Sequence, residues 1–236
     1  NRPGAGGTVA GAYVANQPAD GYTLFVSDLA PLVISRSVYP SLTFDSIEDF
    51  QAITTGTQSA LALTVHPSVE AETVEELIAA AKADPGAMTF SSSGIGGIIH
   101  VAGEAFKQAA GIDMLHIPYK GGAASLNAVV AGEVDVSFSA LPTTLPLAEA
   151  GKVRILAVTT AEPSSLAPEL PTIGSTLPGY DVVVWQAVVG PAGLPEPALA
   201  KLHDAVTAAL DDPEIKSKLE EQGFDVVTST PEALAD

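Results

Sequence analysis

The chain has 236 residues, 47% of them hydrophobic, with 28 acidic against 10 basic side chains, a net charge of −18 and no cysteine. That length and apolar content suit one or two packed domains and exclude a disordered chain. The acidic balance excludes a basic nucleic-acid-binding face, and the missing thiols exclude disulfides and cysteine catalysis.

In chain order, Asn1-Arg-Pro-Gly-Ala-Gly-Gly7 reads as a loop rather than a translation start. Asp20-Gly21 turns into a short strand at 23–26, and the β-branched and aliphatic run 52–65 is a long strand ending at His66-Pro67. Thr73 and Glu76 form a capping box, Leu77, Ile78 and Ala81 give the apolar stripe behind it, and Asp84-Pro85-Gly86 stops that helix. A strand at 88–91 leads through a Ser/Gly loop into a helix over 98–110, with Ile99, Ala102, Phe106 and Ala109 inward and Gly111 at its end.

The unit then repeats: strand 113–117, helix 124–131, strand 134–138, helix 145–150, strand 153–158. A proline-rich stretch over 163–178 breaks the rhythm before a strand at 182–189. Helices over 197–210 and from the Asp212 cap to before Gly223 follow. Thr230-Pro231 opens another helix only five residues before the end, so both ends read as cut from a longer chain.

Alternating strands and helices predict an α/β fold of mostly parallel sheets with helices on both faces. The segments 52–65 and 182–189 are longer than the other strands and are read as crossing between two lobes. Lobe 1 is then 1–93 plus 187–236, and lobe 2 is 94–186.

Chemistry concentrates in Met88-Thr-Phe-Ser-Ser-Ser-Gly-Ile-Gly-Gly-Ile-Ile-His100. It places hydroxyls and bare N–H groups at a helix N-terminus, where an anion is favoured. Ile99 breaks the dinucleotide pattern G-x-G-x-x-G, no Gly-Lys-Ser/Thr follows for a P-loop, and Phe90 stands where a nucleophile elbow at Ser92 needs glycine. An anion cradle made by Ser92, Ser93 and the amides of Gly94, Ile95, Gly96 and Gly97 remains, beside the blander reading of a tight turn that needs glycine for packing.

His100 with Glu104 is a helical pair that lacks further ligands for a metal, so capping, packing or a hydrogen bond to an anion stand ahead of it. Tyr119, Lys120 and Gly121 form a second turn at a strand end, where open α/β sheets hold ligands; a solvated lysine is the alternative. Ser139, and Ser27 with Asp28, fall after further strands. Trp185, the single tryptophan, packs in the core or stacks on a ligand. No paired carboxylates, Ser/His/Asp set or metal cluster emerges, and no cofactor is called for. An α/β hydrolase using a serine of 91–93 remains as an alternative function. An effector-sensing lobe of a regulator would share the architecture but needs a DNA-binding segment that this acidic chain lacks.

The chain resembles the extracytoplasmic solute receptors of tripartite tricarboxylate transporters. The matching stretches are Asn1-Arg-Pro-Gly-Ala-Gly-Gly7, Ala19-Asp-Gly-Tyr-Thr-Leu24, Ser92-Ser-Gly-Ile-Gly96 with His100 and Gly103-Glu104, and His116-Ile-Pro-Tyr-Lys-Gly-Gly122. Gly132-Glu-Val-Asp-Val136, Gly151-Lys-Val-Arg-Ile-Leu-Ala-Val158, Leu170-Pro-Thr172, Pro178-Gly-Tyr180 and Pro191-Ala-Gly193 continue the match in order. The resemblance implies two α/β lobes joined by crossing strands and closing on a small carboxylate, without catalysis. It implies delivery to membrane transporter subunits by a monomer in the periplasm or another extracytoplasmic space, its signal peptide removed, with or without a membrane anchor ahead of residue 1. It also implies a strand, Gly-rich loop and helix before residue 1. Where the family often carries Ser and Asn in the middle loop, this chain has Ile95, Gly97, Ile98 and Ile99. A monocarboxylate or aromatic acid then fits no less readily than citrate.

Overall fold

A computed structural model describes residues 7–235. The elements are α1 (Thr8–Ala15), β1 (Phe25–Asp28), a π-helical turn Ala30–Ile34 running into α2 (Ser35–Val38), β2 (Phe50–Val65), α3 (Val74–Ala83), β3 (Thr89–Ser92) and α4 (Ile98–Ala110). They continue with β4 (Leu115–Pro118), α5 (Gly122–Val130), β5 (Val136–Ala140), α6 (Leu141–Glu149), β6 (Arg154–Val158), β7 (Val183–Pro191), α7 (Glu196–Leu210), α8 (Pro213–Glu220), β8 (Asp225–Val226) and α9 (Pro231–Ala235).

The chain divides into unit 1, Asn1–Gln58 with Val184–Asp236, and unit 2, Ser59–Val183. The sequence boundaries at 93/94 and 186/187 differ from these. The main shift is that residues 59–93 lie in unit 2, because β3 pairs in parallel with β4 and β5 and cannot leave their sheet. β2 starts in one unit and ends in the other.

In unit 2 the strand order is β6-β2-β5-β3-β4: the end of β2 pairs antiparallel with both β5 and β6, and β3 is parallel to its neighbours. Four strands therefore run one way and β2 against them. Alternation then sorts the sheet's two faces. Phe90 and Phe138 face α4, whose Phe106 meets Phe138 at 5.7 Å between ring centroids and whose Gly103 lies against Phe90. Ser91 and Ser137 face the other way, to Ser125 on α5. Phe90, Phe106, Phe138, Leu63 and Met114 are completely or almost completely buried.

In unit 1, β1 pairs antiparallel with β7, and β8 pairs antiparallel with β2. Val14, Phe25, Phe44, Phe50 and Val189 form one core cluster; Ile53, Val188 and Leu194 form another beneath Leu199, Leu202 and Val206 of α7.

Local signals account for many boundaries. Thr73 Oγ1 accepts from Glu76 N at 3.2 Å, while Glu76 Oε2 accepts from Glu72 N at 2.7 Å, so the reciprocal half of the capping box closes one residue early. Asp212 caps α8 through the amides of Glu214 and Ile215. The fifth strand begins later than 134 and the next helix earlier than 145. Leu141-Pro142 starts α6, with proline in the first turn where its missing N–H costs nothing, and the helix then tolerates Pro146 inside. β1 is displaced by two residues, so Ser27 and Asp28 are its last residues rather than residues after it.

Candidate functional site

β3 and β4 lie side by side and run parallel, so the loops that leave them meet. Tyr119 N donates to Ser92 O at 2.9 Å and Gly121 N to Ser93 O at 3.3 Å. Each loop opens a helix, α4 after Gly97 and α5 after Gly121, and neither helix start has a side-chain cap. Two sets of first-turn N–H groups are thus left to other partners at one edge of the sheet. Gly96 (φ 80°) and Gly121 (φ 101°) take left-handed backbone that side-chain-bearing residues avoid. A Cβ on Gly97 would stand 2.7 Å from Ser93 Oγ.

Within the loop, Ser92 is fully buried. Its Oγ accepts from Gly94 N at 3.1 Å, donates to Gly94 O at 3.2 Å, and meets His116 Nε2 at 2.6 Å. His100 Nδ1 accepts from Gly96 N at 3.3 Å, and the His100 and His116 rings pack at a 39° tilt with centroids 4.3 Å apart. Ile95 is 66% exposed at the loop's tip. Burial holds the His116 imidazole below its ordinary pKa; His100 and Lys107 push the same way and Glu104 opposes.

The structure therefore brings together Ser92, Ser93, Gly94, Ile95, Gly96, Gly97, His100, Gly121 and the backbone of Tyr119. The Tyr119 ring instead packs with Val129, Val134 and Val153, its phenol bonded to Glu133; burial and that carboxylate raise its pKa. Lys120 is exposed. Ser139, two residues beyond the Ser91–Ser137 pairing, is level with the loop, but it is 2% exposed and its hydroxyl meets Ser137 Oγ at 2.8 Å. That contact extends a buried chain: Ser137 to Ser125 at 3.2 Å, Ser125 to Ser91 at 2.8 Å, and Ser91 to Ser125 O at 3.1 Å.

Ser27, Asp28 and Trp185 lie in unit 1. Ser27 and Asp28 pair with Ala187 and Gln186, Asp28 accepts from Ala30 N at 3.0 Å, and Trp185 is half-buried on β7. Among the described residues, no group of three or more His, Asp or Glu is placed to hold a metal, and no helix is long and apolar enough to cross a membrane. A cavity of about 450 Å³ lies against α6 and β6, and none of the loop residues lines it.

Two features escaped sequence reasoning. His116 has no ligand spacing along the chain; only the pairing of Phe90 with His116 brings it beside Ser92. The serine chain joins β3, α5 and β5, and the alternation of Ser137 and Ser139 was its one visible trace.

Residues 1–235 match the family described as "Tripartite tricarboxylate transporter family receptor". A Pseudomonas sp. (strain P51) protein from the tcbD-tcbE intergenic region is 31% identical over all of this chain and 70% of its own length. Protein BugT of Bordetella pertussis is 30% identical over 98% of this chain and 72% of its own. Among solved structures, R. palustris Rpa4515 with adipate is 33% identical, with a TM-score of 0.87 over 99% of this chain and 79% of that one. MatC from Rhodopseudomonas palustris with bound malate is 27% identical, with a TM-score of 0.81 over 98% and 80%. The paired βα loops, the α/β architecture and these likenesses agree, and the chain belongs to the tripartite tricarboxylate transporter family receptors.

Proposed function

We propose that this receptor captures a small organic carboxylate outside the cytoplasm and presents it to membrane transporter subunits, without transforming it. The observation that carries the reading is the pair of uncapped helix starts, α4 and α5, on adjacent parallel strands. With 10 basic residues in 236, a carboxylate is held here chiefly by main-chain N–H groups and hydroxyls. Ser93, the amides of 94–97 and the turn 119–121 are its binding residues in unit 2, with Ser92 and His100 bonded to the loop from behind; Lys120 adds charge from an exposed position. Ser27, Asp28 and Trp185 belong to the same proposal from unit 1, whereas Ser139, buried and bonded to Ser137 Oγ, does not reach the ligand. The exposed Ile95 and the apolar start of α4 favour an acid with an aliphatic or aromatic body.

The hydrolase alternative is not supported. Ser92, the serine nearest a histidine, is fully buried with its hydroxyl spent on Gly94 and His116, and the family is one of receptors. A thermal-shift panel of mono-, di- and tricarboxylates tests the proposal. A bound acid at 100 times its Kd adds about 2.7 kcal/mol of stability and moves Tm upward. No shift with any acid, or turnover of an ester that stops on Ser92→Ala, contradicts it.

A further inference from the structure

Ser92 has one proton and three partners. That proton goes to Gly94 O, while Gly94 N donates to Ser92 Oγ. The 2.6 Å contact with His116 Nε2 is then satisfied when the imidazole carries its proton on that nitrogen. His100 works from the other side of the loop. Its Nδ1 accepts from Gly96 N, which places its proton on Nε2, 4.0 Å from Glu104 Oε1. The two rings pack against each other at a 39° tilt, and His116 stacks on Phe90 at 4.8 Å between centroids. One imidazole thus holds the start of the Ser/Gly loop and the other its end. Both are locked by packing on β3 and α4.

We infer that His116 and His100 are positioning residues for carboxylate capture. As a packed pair, one ring bonded to each end of the loop, they fix Gly94 and Gly96 in the conformation that leaves the first N–H groups of α4 free for an anion. This rests on the receptor reading above. Neither ring is a catalytic or metal-ligating group: Ser92 is sealed from solvent, and no third metal ligand stands among the described residues. A loop ordered before the ligand arrives binds more tightly than one ordered by it, because the entropy is already spent.

The test uses amide hydrogen exchange of the acid-free protein, together with titration by adipate and malate. His116→Ala speeds exchange at Gly94 and Gly96 and weakens acid binding about tenfold or more. His116→Gln, whose amide nitrogen reaches the place of Nε2, restores both to within about threefold. A merely space-filling imidazole would give equal losses in the two variants. The inference is overturned if exchange is unchanged in His116→Ala, if Gln is no better than Ala, or if both variants bind acid like the wild type. Should His116→Ala not fold, His100→Ala takes its place, with faster exchange at Gly96 and weaker acid binding expected, and unchanged exchange or binding overturning the inference. If the wild type binds no acid while exchange follows the expected pattern, the receptor reading and the capture role fail together, and only the loop-holding geometry survives.

Discussion

Gly103 lies so close to the ring of Phe90 that a Cβ there would overlap the aromatic carbons. Glycine lets α4 sit directly on β3, and α4 carries His100 on the same helix. Phe90 is fully buried and cannot swing aside. Gly103→Ala is therefore expected to destabilise by about 1–3 kcal/mol through overpacking, despite alanine's better helix propensity. Urea denaturation checks this; a variant as stable as the wild type would show that α4 does not need the close approach.

The buried serine chain predicts an ordering among three alanine variants. Ser125 stands between Ser91 and Ser137, so its removal takes one partner from each of two buried hydroxyls, which keep Ser125 O and Ser139 Oγ respectively. Ser139 is the end of the chain. Ser125→Ala is expected to cost about 1–3 kcal/mol and Ser139→Ala less, with Ser137→Ala between or equal to Ser125→Ala. Chemical denaturation of the three variants measures it, and Ser139→Ala as the worst of them would contradict the chain's direction.

Many helix boundaries were legible in the sequence, for physical reasons that differ by element. The capping box at Thr73 and the Asp212-Pro213 start are local devices, and local devices survive without a fold. The αL end at Gly111 is another. α1, by contrast, spreads Val9, Tyr13 and Val14 among alanines and a glycine with hardly any amphipathic contrast, so no periodicity announced it. The 30–38 helical stretch was missed for a related reason: Pro31 in its first turn resembles a turn signal. The Ser/Gly loop was visible because glycines and serines before an apolar helix have few other uses. Its support by His116 was not, since helix α4 separates β3 from β4 along the chain and only their pairing in the sheet sets them side by side.

His116 gives the protein a pH-dependent stability. Burial, with His100 and Lys107 alongside and Glu104 opposing, lowers its pKa in the folded chain below the ordinary 6.5. The unfolded chain therefore binds the proton first as pH falls. The contribution is complete above pH 6.5 and is lost as pH drops through that value toward the folded pKa. Urea midpoints are expected to fall between about pH 7.5 and pH 5, with a smaller fall in His116→Gln. Identical falls in both proteins would assign the effect to other groups.

Tyr180 ties the proline-rich segment to α4. Its hydroxyl donates to Ala102 O at 2.9 Å and its ring meets Phe106 edge-on at 6.3 Å. Burial pushes its pKa far upward, so it stays a neutral donor at any ordinary pH. Tyr180→Phe keeps the ring and is expected to cost about 0.5–1.5 kcal/mol, while Tyr180→Ala costs about 3–5 kcal/mol. Thermal melts of the pair separate hydrogen bond from packing, and equal losses would mean the hydroxyl carries the whole effect.

In the proposed function, main-chain donors at the α4 and α5 starts bind an organic acid. Isothermal titration of the protein with adipate, malate and an aromatic monocarboxylate tests it most directly. Saturable binding at one site per chain is expected for at least one of these acids, weakened when Gly96 is replaced by alanine. Heats of dilution alone across mono-, di- and tricarboxylates, or binding indifferent to Gly96→Ala, would contradict it.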